Sequence, residues 1–323
     1  MAKTPARGTA SRRMSTSALA LAAAAARRFY VEGLTKVEIA KQLGVSRFKV
    51  ARLLADAQEA GLVQIEVIVP SSLDGELADA VRERFGVRAV YVVKPDEDTV
   101  VGQRRAVANF TAGLLEESVT AEDVVGLAWG RTISLLAASV GANIGCRFVQ
   151  LSGALPRPDV EESAVELVRR MAEATGSSST TFYAPLAVPD AATADGLRSQ
   201  SGISEALAEL DRLTKAVVSV GAWRPGESTA LDSLGDADRD ALSQAGVVAE
   251  ITGVLLDRDG KEVDALTDRV IGVTGPQLRA TPDVIAMACG DQRGEATATA
   301  LRSGIVSTLI THTSLARAVL AQP

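Results

Sequence analysis

The sequence predicts an α/β protein with a small N-terminal helical unit and a larger domain built on a doubly wound, mostly parallel sheet. Three observations lead to this fold class. The chain has 323 residues, which favours two domains. Residues 35–63 contain two apolar-periodic runs split by one glycine, as in paired short helices. After residue 70, apolar β-rich runs alternate with helical patterns, which is typical of a parallel sheet covered by helices.

The composition limits the classes of protein to consider. With 47% hydrophobic and 23% charged residues, the chain can bury a large core and remain soluble. Aromatic residues make up only 3%, so alanine, valine and leucine must fill that core. Two cysteines are too few for a disulfide framework and indicate a reducing compartment. His312 is the single histidine, which argues against a histidine zinc site, and we expect no metal and no cofactor.

Charge is distributed unevenly along the chain. Residues 1–70 carry 11 lysines and arginines against 5 acidic residues, a net charge of +6. The remainder carries 23 against 35, a net charge of −12. A basic end on an acidic body indicates that only the end contacts a polyanion. We expect a disordered basic arm over residues 1–16, a helical unit over 17–70 and a second domain over 71–323.

The segment "RRMSTSALALAAAAARR", residues 12–28, has the basic flanks and apolar middle of a signal peptide. Alanine, however, is weakly hydrophobic and is the best helix former. The segment also continues directly into "RRFYVEGLTKVEIA", which has the pattern of folded helix. No other run approaches the roughly 20 apolar residues of a membrane span. We therefore predict a helix here and a cytoplasmic protein.

The stretch "TKVEIAKQLGVSRFKVARLLADAQEAGLV", residues 35–63, predicts two helices joined by a tight turn. Thr35 and Glu38 fit a capping box, so the first helix should begin at Thr35. It should end near Leu43, followed by Gly44 in a left-handed conformation. Ser46 should cap a second helix that ends near Ala60. The inward face of that helix is predicted to consist of Val50, Leu53, Leu54 and Ala57.

Polar and basic residues near the start of the second helix favour a helix-turn-helix, in which such residues enter the DNA major groove. The alternative is an ordinary helical hairpin with solvated charges. Phe48 would either pack inward or meet a thymine methyl, and we expect packing. The following "LVQIEVIVP" is predicted to be a strand, either a wing or a link. The DNA-contacting candidates are Thr35, Lys36, Ser46, Arg47, Phe48, Lys49 and Arg52.

Nine apolar runs in the second domain are candidate strands: "AVYVV" (89–93), "DVVGLAW" (123–129), "RFVQLSG" (147–153), "TTFYAPL" (180–186), "AVVSVGA" (216–222), "VVAEITGVLLD" (247–257), "RVIGVT" (269–274), "DVIAMACG" (283–290) and "IVSTLIT" (305–311). Helical patterns such as "VEESAVELVRRMAEAT" and "GEATATALRSG" separate most of them. "DRDGKEVD" has the pattern of a hairpin turn, which predicts an antiparallel insertion.

Ligands of open parallel sheets bind beyond the carboxyl ends of the strands. Here those ends are rich in glycine and polar residues. "GLAWGRT" leads from a strand into a helix whose N-terminal N–H groups can hold a phosphate. Arg293, between two glycines, has the fork geometry that binds phosphate bidentately. Glycines after strands also serve ordinary turns, so only the set as a whole predicts a pocket. The set of candidate pocket residues comprises Gly130, Arg131, Thr132, Ser152, Gly153, Gly221, Ala222, Gly290 and Arg293.

Together these motifs resemble the SorC family of bacterial transcriptional regulators, the sugar-binding DeoR-like class. The resemblance extends over residues 19–320. Its markers are the helix pair over residues 35–63, then "GLAWGRTI", "VQLSGAL" and "YAPLAVP", and then "AGVVAEITGVLLDRDGKEVD", "RVIGVTGPQLRATPDVIAMACG" and "TALRSGIVSTLITHTSLARAVL".

The resemblance implies a winged-type helix-turn-helix joined to an effector domain of the sugar-phosphate isomerase and CoA-transferase type, used for binding. It also implies homodimers or homotetramers, with operator binding that responds to a phosphorylated sugar or related metabolite. Four positions depart from the family pattern. Glu250 stands where aspartate is typical, Arg293 where lysine is, His312 where aspartate is common and Ser152 where asparagine is common. Glu250 thereby joins the effector-binding candidates, and an unphosphorylated polyol or sugar acid remains an alternative effector.

A rival interpretation is a sugar-phosphate isomerase or deaminase that carries a DNA-binding unit. Such an enzyme needs a positioned acid and base, for which Glu250, Asp291 and His312 are the candidates. We expect each to have a structural or ligand-holding role, because the sequence shows no acid and base at usable spacing. A DNA-architectural protein fits poorly with the acidic body.

Overall fold

The computed structural model describes residues 14–65, 70–141, 143–154 and 163–323. The chain divides into two compact units, residues 1–68 and 69–323. Most of the predicted basic arm, residues 1–13, lies outside the described residues. The strand predicted for residues 62–70 is not seen in residues 62–65, and residues 66–69 also lie outside the described part.

The first unit contains three helices, α1 (Thr16–Tyr30), α2 (Lys36–Leu43) and α3 (Arg47–Glu59). α1 has the alanine-rich segment that was predicted to be helical. Its buried alanines pack against the inward faces of the other two helices. The core of the unit is built from Ala22, Ala25, Ala26, Ile39, Ala40, Val50, Leu53, Leu54 and Ala57. Small side chains on α1 allow the three helices to pack closely around the larger aliphatic residues.

The second unit is built on a seven-stranded sheet in which every neighbouring pair is parallel. The strand order is β1-β10-β9-β5-β2-β3-β4. A small antiparallel sheet of order β6-β7-β8 accompanies it. The strands are β1 (Ala89–Val93), β2 (Val124–Leu127), β3 (Arg147–Gln150), β4 (Ser178–Thr180), β5 (Lys215–Ser219), β6 (Gly221–Ala222), β7 (Val247–Ile251), β8 (Val254–Asp257), β9 (Asp283–Met287) and β10 (Thr308–His312).

The helices of this unit, as far as the structure describes it, are α4 (Gly75–Phe85), α5 (Val100–Ser118), α6 (Arg131–Ser139), α7 (Ala164–Ala174), α8 (Ala191–Arg198), α9 (Ile203–Ala208), α10 (Thr229–Ser233), α11 (Asp236–Gln244), α12 (Gly275–Ala280), α13 (Gly294–Arg302) and α14 (Thr313–Leu320). Short 3-10 turns occur at Glu209–Arg212, Asp264–Leu266 and Asp291–Arg293.

The central strands are buried along nearly their whole length, because helices cover both faces of the sheet. The helices α4, α13 and α14 contact one another, and α6 contacts both α5 and α7. The strand order reverses between β2 and β5, since β3 and β4 follow β2 in one direction whereas β9 and β10 follow β5 in the other. This reversal is the topological switch point at which open α/β sheets form a crevice.

The mostly parallel sheet confirms the predicted α/β class, but several strand boundaries differ. Residues 247–257 were predicted to be one strand and instead form the hairpin β7–β8, with its turn at Thr252 and Gly253. The antiparallel insertion was predicted correctly, although from the later turn at residues 257–264. Residues 269–274 contain isolated bridges and no strand. Of residues 180–186, only Thr180 lies in a strand, which begins at Ser178. Continuous apolar runs do not reveal such breaks, because a buried turn keeps the hydrophobic pattern.

No helix among the residues that the structure describes has the length and hydrophobicity required to cross a membrane.

Candidate functional site

The helix pair of the first unit has the local structure that its capping residues predicted. The Thr35 N–H donates to Glu38 Oε2 at 2.8 Å, and the Glu38 N–H donates to Thr35 Oγ1 at 3.3 Å, which completes the capping box. Gly44 ends α2 with a φ of 65°, a conformation that glycine adopts without strain. The Lys49 N–H donates to Ser46 Oγ at 3.2 Å and so fixes the start of α3.

The seven residues predicted to contact DNA are all exposed in this unit. Phe48 is 72% exposed, so the expectation that it packs inward is wrong. Its position lies roughly 160° around α3 from the buried stripe that includes Val50 and Leu53, because each residue turns a helix by about 100°. The Arg47 guanidinium lies 4.9 Å from the centre of the Phe48 ring. An aromatic ring and a cation therefore share the exposed first turn of α3.

The second unit has a cleft at the switch point between the carboxyl ends of β2 and β5. It encloses about 590 Å³, including the part open to solvent. Gly130, Arg131 and Thr132 follow β2, and Ser219, Val220 and Gly221 follow or end β5. The other residues that line it are Arg104, Trp129, Glu227, Thr229, Glu250 and Arg293. The α6 helix begins here at Arg131, and the preceding Gly130 has no side chain to cap it, which leaves the first N–H groups of the helix available to an anion.

Three arginines converge in this cleft, of which Arg104 was not predicted. Arg104 is partly buried on α5 and has no hydrogen bond or ion pair with the residues that the structure describes. Burial lowers the pKa of its guanidinium, and the positive charges of Arg131 and Arg293 lower it further. An arginine nevertheless remains protonated at neutral pH. The cleft therefore concentrates positive charge that an anion would stabilise.

Glu227 offsets part of this charge. Arg293 Nε donates to Glu227 Oε2 at 2.8 Å, and the two side chains are 14% and 25% exposed. Gln292 Nε2 donates to the other carboxylate oxygen at 2.9 Å. Burial alone would raise the pKa of Glu227, but the hydrogen bonds from Gln292 and Arg293 and the nearby positive charges outweigh it and hold that pKa below its ordinary value. Arg293 also donates to the Val220 carbonyl, so part of its donor set is already used within the protein.

Glu250 is the buried acid of the cleft. It lies opposite Gly221 in the β6–β7 pair, and its carboxylate accepts hydrogen bonds of 3.3 Å from Ser228 Oγ and from the Gly253 N–H. Burial raises the pKa of Glu250, since these two long hydrogen bonds and the charge of Arg293 compensate only in part. A carboxyl group of this kind can donate a hydrogen bond to a ligand hydroxyl when it is protonated.

The remaining candidates are distributed more widely. Ser152 lines a smaller neighbouring cavity, here called the inner chamber, which shares Glu250 with the cleft. Gly153, Ala222 and Gly290 do not line the cleft or this chamber. Gly153 instead approaches the Pro185 carbonyl closely, and Ala222 pairs with Ala249 in the small sheet.

The hydrogen bonds of His312 indicate that this residue has a structural role. It is fully buried, and its Nε2 accepts a hydrogen bond of 3.0 Å from the Gly290 N–H. Ser314 Oγ donates to Asp291 at 2.7 Å and lies 3.0 Å from His312 Nδ1. The neutral tautomer with its proton on Nδ1 satisfies all of these bonds. Burial lowers the pKa of His312, against the charges of Asp291 and Asp98. Both ring nitrogens are thus engaged in holding the loop that carries Asp291.

Cys289 lies near the cleft, but burial raises the pKa of its thiol to about 12. A thiol with this pKa is not a nucleophile at neutral pH. Within the described part of the chain, no group of three or more histidine, cysteine or acidic side chains is arranged to hold a metal ion.

Comparison with known proteins places this architecture in a family. Residues 70–321 match the family model Sugar-bind, described as "Putative sugar-binding domain". The "Uncharacterized transcriptional regulator YjhU" of Escherichia coli strain K12 is 29% identical over 306 residues, covering 91% of this chain and 92% of that protein. The "Deoxyribonucleoside regulator" of Bacillus subtilis strain 168 is 29% identical over 303 residues, covering 92% and 96%.

A solved structure extends the likeness to the fold. The full-length sorbitol operon regulator SorC from Klebsiella pneumoniae superimposes with a TM-score of 0.72 at 21% identity, covering 94% of this chain and 98% of that chain. The resemblance inferred from the sequence motifs is thereby confirmed. Since the family model covers most of the chain and the relatives align over nearly their whole length, the chain belongs to the sugar-binding domain family of SorC-type transcriptional regulators.

Proposed function

We propose that the chain is a one-component transcriptional regulator whose affinity for a DNA operator is controlled by a sugar, polyol or sugar-phosphate effector. The observation that carries the proposal is the convergence of Arg104, Arg131 and Arg293 beside the buried Glu250, in a cleft at the switch point of the sheet. Such a cleft suits a ligand with an anionic group and several hydroxyls. The two relatives, one named a transcriptional regulator and the other a deoxyribonucleoside regulator, support the regulatory role.

We assign DNA binding to the first unit, as a helix-turn-helix formed by α2 and α3. Ser46, Arg47, Phe48 and Lys49 occupy the cap and first turn of α3, where such motifs contact base edges. Thr35, Lys36 and Arg52 are placed to contact phosphates, which supply most of the affinity for DNA. The exposed Phe48 ring suits apolar contact with a thymine methyl.

Effector binding is assigned to the cleft and its inner chamber. Arg131, Thr132 and the N–H groups at the start of α6 would hold the anionic group together with Arg293. Glu250 and Ser152 would bind hydroxyls deeper in the site. Gly130 and Gly221 allow the backbone to approach the ligand.

The described side chains favour binding over turnover. Glu250 is held by Ser228 and Gly253, and the nitrogens of His312 are both occupied. The two side chains therefore do not form the acid–base pair that isomerisation would require, because His312 does not line the cleft that contains Glu250. The Arg293 guanidinium keeps a fixed positive charge and cannot form a Schiff base. A panel of sugar phosphates followed for turnover would overturn this assignment if any of them were converted.

Regulation would act through the assembly of subunits. We propose a homodimer or homotetramer whose helix-turn-helix pairs bind operator half-sites separated by multiples of about ten base pairs. The effector would change operator affinity to the extent that it binds one arrangement of subunits better than the other.

In vitro selection from a library of random DNA duplexes tests the DNA-binding part directly. The full chain should enrich a sequence with related half-sites, and binding should weaken steeply as salt rises. Arg47→Ala in the same selection provides the control and should lose enrichment. Failure of the unmodified chain to enrich any sequence, with or without sugar phosphates present, would contradict the proposal.

A further inference from the structure

The inner chamber behind the cleft has a lining unlike that of the arginine-rich mouth. It shares Trp129, Ser219, Thr229 and Glu250 with the cleft and extends past them to Ser152 and Thr252. Its volume, with the part open to solvent included, is about 290 Å³, and the room for a bound group within it is about 20 Å³, enough for one group the size of a water molecule. No arginine or lysine lines it, and Glu250 is its one ionisable group among the described residues. The chamber is therefore suited to hydroxyl groups rather than to an anion.

Two residues that line this chamber carry hydroxyls without a hydrogen-bond partner among the described residues. Ser152 is 1% exposed, and its Oγ is buried without a partner. Thr252 Oγ1 is likewise buried and unpartnered. Buried polar atoms are almost always hydrogen-bonded in folded proteins, so each exception requires a reason. Two such exceptions at one small space indicate a bound group there, either a ligand hydroxyl or a water that such a hydroxyl would displace.

The backbone conformation of Thr252 is a second, independent indication that this residue has a functional role. Thr252 has a φ of +54° and is followed by Gly253 with a φ of +91°, in the two-residue turn between β7 and β8. Hairpin turns of this kind favour glycine, asparagine or aspartate at both positions. A β-branched threonine with a positive φ is a strained outlier, and such strain is concentrated at functional sites.

We propose that Thr252 determines effector specificity by binding, with Ser152, a hydroxyl of the effector at the end remote from its anionic group. This inference depends on the proposed function, since it assumes that the arginine-lined cleft holds that group. The effector would thus be an anionic polyhydroxylated chain long enough to span from the arginines past Glu250 into the chamber. Thr252 is held in a strained conformation because it presents its hydroxyl there.

A ladder of phosphate probes tests this proposal by isothermal titration calorimetry on the full chain. The probes are inorganic phosphate, glycerol 3-phosphate, erythritol 4-phosphate, ribitol 5-phosphate and glucitol 6-phosphate. Affinity should rise in one step at the probe that first reaches the chamber. Thr252→Val keeps the shape and the strained β-branched backbone but removes the hydroxyl, so it should reduce that step by roughly threefold to tenfold. Ser152→Ala should do the same.

Thr252→Gly provides a second readout that needs no ligand. It removes both the hydroxyl and the strain, so it should raise the melting temperature of the free protein while also losing the affinity step. Thr229→Val is the matched control, because Thr229 lies at the border between cleft and chamber. It should change the affinities of short and long probes alike.

The possible outcomes are distinct. The role of Thr252 would be overturned if the unmodified chain showed no step in affinity along the series of probes. It would also be overturned if the step persisted in Thr252→Val and Ser152→Ala. Neither result would affect the anion site. A melting temperature for Thr252→Gly below that of the unmodified chain would also contradict the argument from strain. If no probe bound, inorganic phosphate included, the cleft would not be a phosphate site and this inference would fail, whereas the proposed function would then require an unphosphorylated effector.

Discussion

Gly221 and Glu250 lie directly opposite each other in the β6–β7 pair, and a Cβ atom at position 221 would be 2.5 Å from Glu250 Oε1. That distance is far shorter than side-chain carbon atoms tolerate. The absence of a side chain at Gly221 is therefore what allows the buried carboxyl to lie against the backbone at the carboxyl end of β5. One glycine thus fixes the position of the acid in the proposed effector site.

Gly221→Ala should displace the Glu250 carboxyl and destabilise the second unit by about 1–3 kcal/mol, the range for overpacking a buried site. Urea denaturation of the full chain measures this change. Gly113→Ala is the matched control, since Gly113 is exposed within α5 and a Cβ added there would have no atom within 4 Å. It should stabilise the protein by about 0.5–1 kcal/mol. Equal effects of the two substitutions would contradict the close approach.

Glu250→Gln should change how stability depends on pH. Burial raises the folded-state pKa of Glu250 above its ordinary value of 4.5, so the folded protein binds the proton more tightly than the unfolded chain does. The unmodified protein should therefore lose stability relative to the glutamine variant as pH rises from 4.5 through the folded pKa. Thermal melts of both proteins across this range measure the difference. A constant difference between them would show that Glu250 is not held in its protonated form by burial.

Glu227→Gln should strengthen the binding of inorganic phosphate by roughly threefold to tenfold, because it removes a carboxylate that competes for Arg293. Calorimetric titration at low ionic strength gives the affinity. Glu209→Gln serves as a control, since Glu209 pairs with Arg147 and Arg212 and does not line the cleft. Weaker phosphate binding by the Glu227 variant would mean that this carboxylate supports the anion site and does not compete with its ligand.

Phe48→Ala should leave the stability of the protein within about 0.5 kcal/mol of the original, because the ring is exposed. Its affinity for the selected operator should fall by about tenfold, the lower end of the range for a direct base contact. Replacing thymine by uracil in the operator should reproduce this loss in the unmodified protein and have little effect on the variant. Leu53→Ala offers the contrast, since it empties a core position and should cost about 2–5 kcal/mol of stability. Unchanged operator affinity in the Phe48 variant would remove this residue from the interface.

Local signals made the helix pair predictable from the sequence. Thr35, Glu38, Gly44 and Ser46 each act on backbone groups within a few residues, so their spacing alone determines where α2 and α3 begin and end. The parallel strands were predictable for a related reason, since strands buried on both faces produce continuous apolar runs. The exposure of Phe48 was not predicted, because its hydrophobicity favoured inward packing, although its position on the helix lies opposite the buried residues of α3.

The charged members of the cleft that were missed come from other parts of the chain. Arg104 lies within α5 and Glu227 in the loop before α10, and neither follows a strand of the main sheet. Only the packing of α5 beside α6 brings Arg104 near Arg131 and Arg293. Thr252 was hidden within an apolar run that had the pattern of a single strand. A positive φ at threonine has no sequence signature, because it depends on the contacts of the folded hairpin.

In the proposed function, the first unit of the chain binds DNA and the second binds the effector. Fluorescence anisotropy on the selected operator, together with phosphate binding by calorimetry, tests this assignment in Arg47→Ala and Arg293→Ala. The Arg47 variant should bind operator about tenfold more weakly and discriminate less well between operator and other sequences, and it should bind phosphate normally. The Arg293 variant should bind operator normally and lose phosphate binding. Equal loss of operator binding in both variants, in the absence of any ligand, would contradict the account.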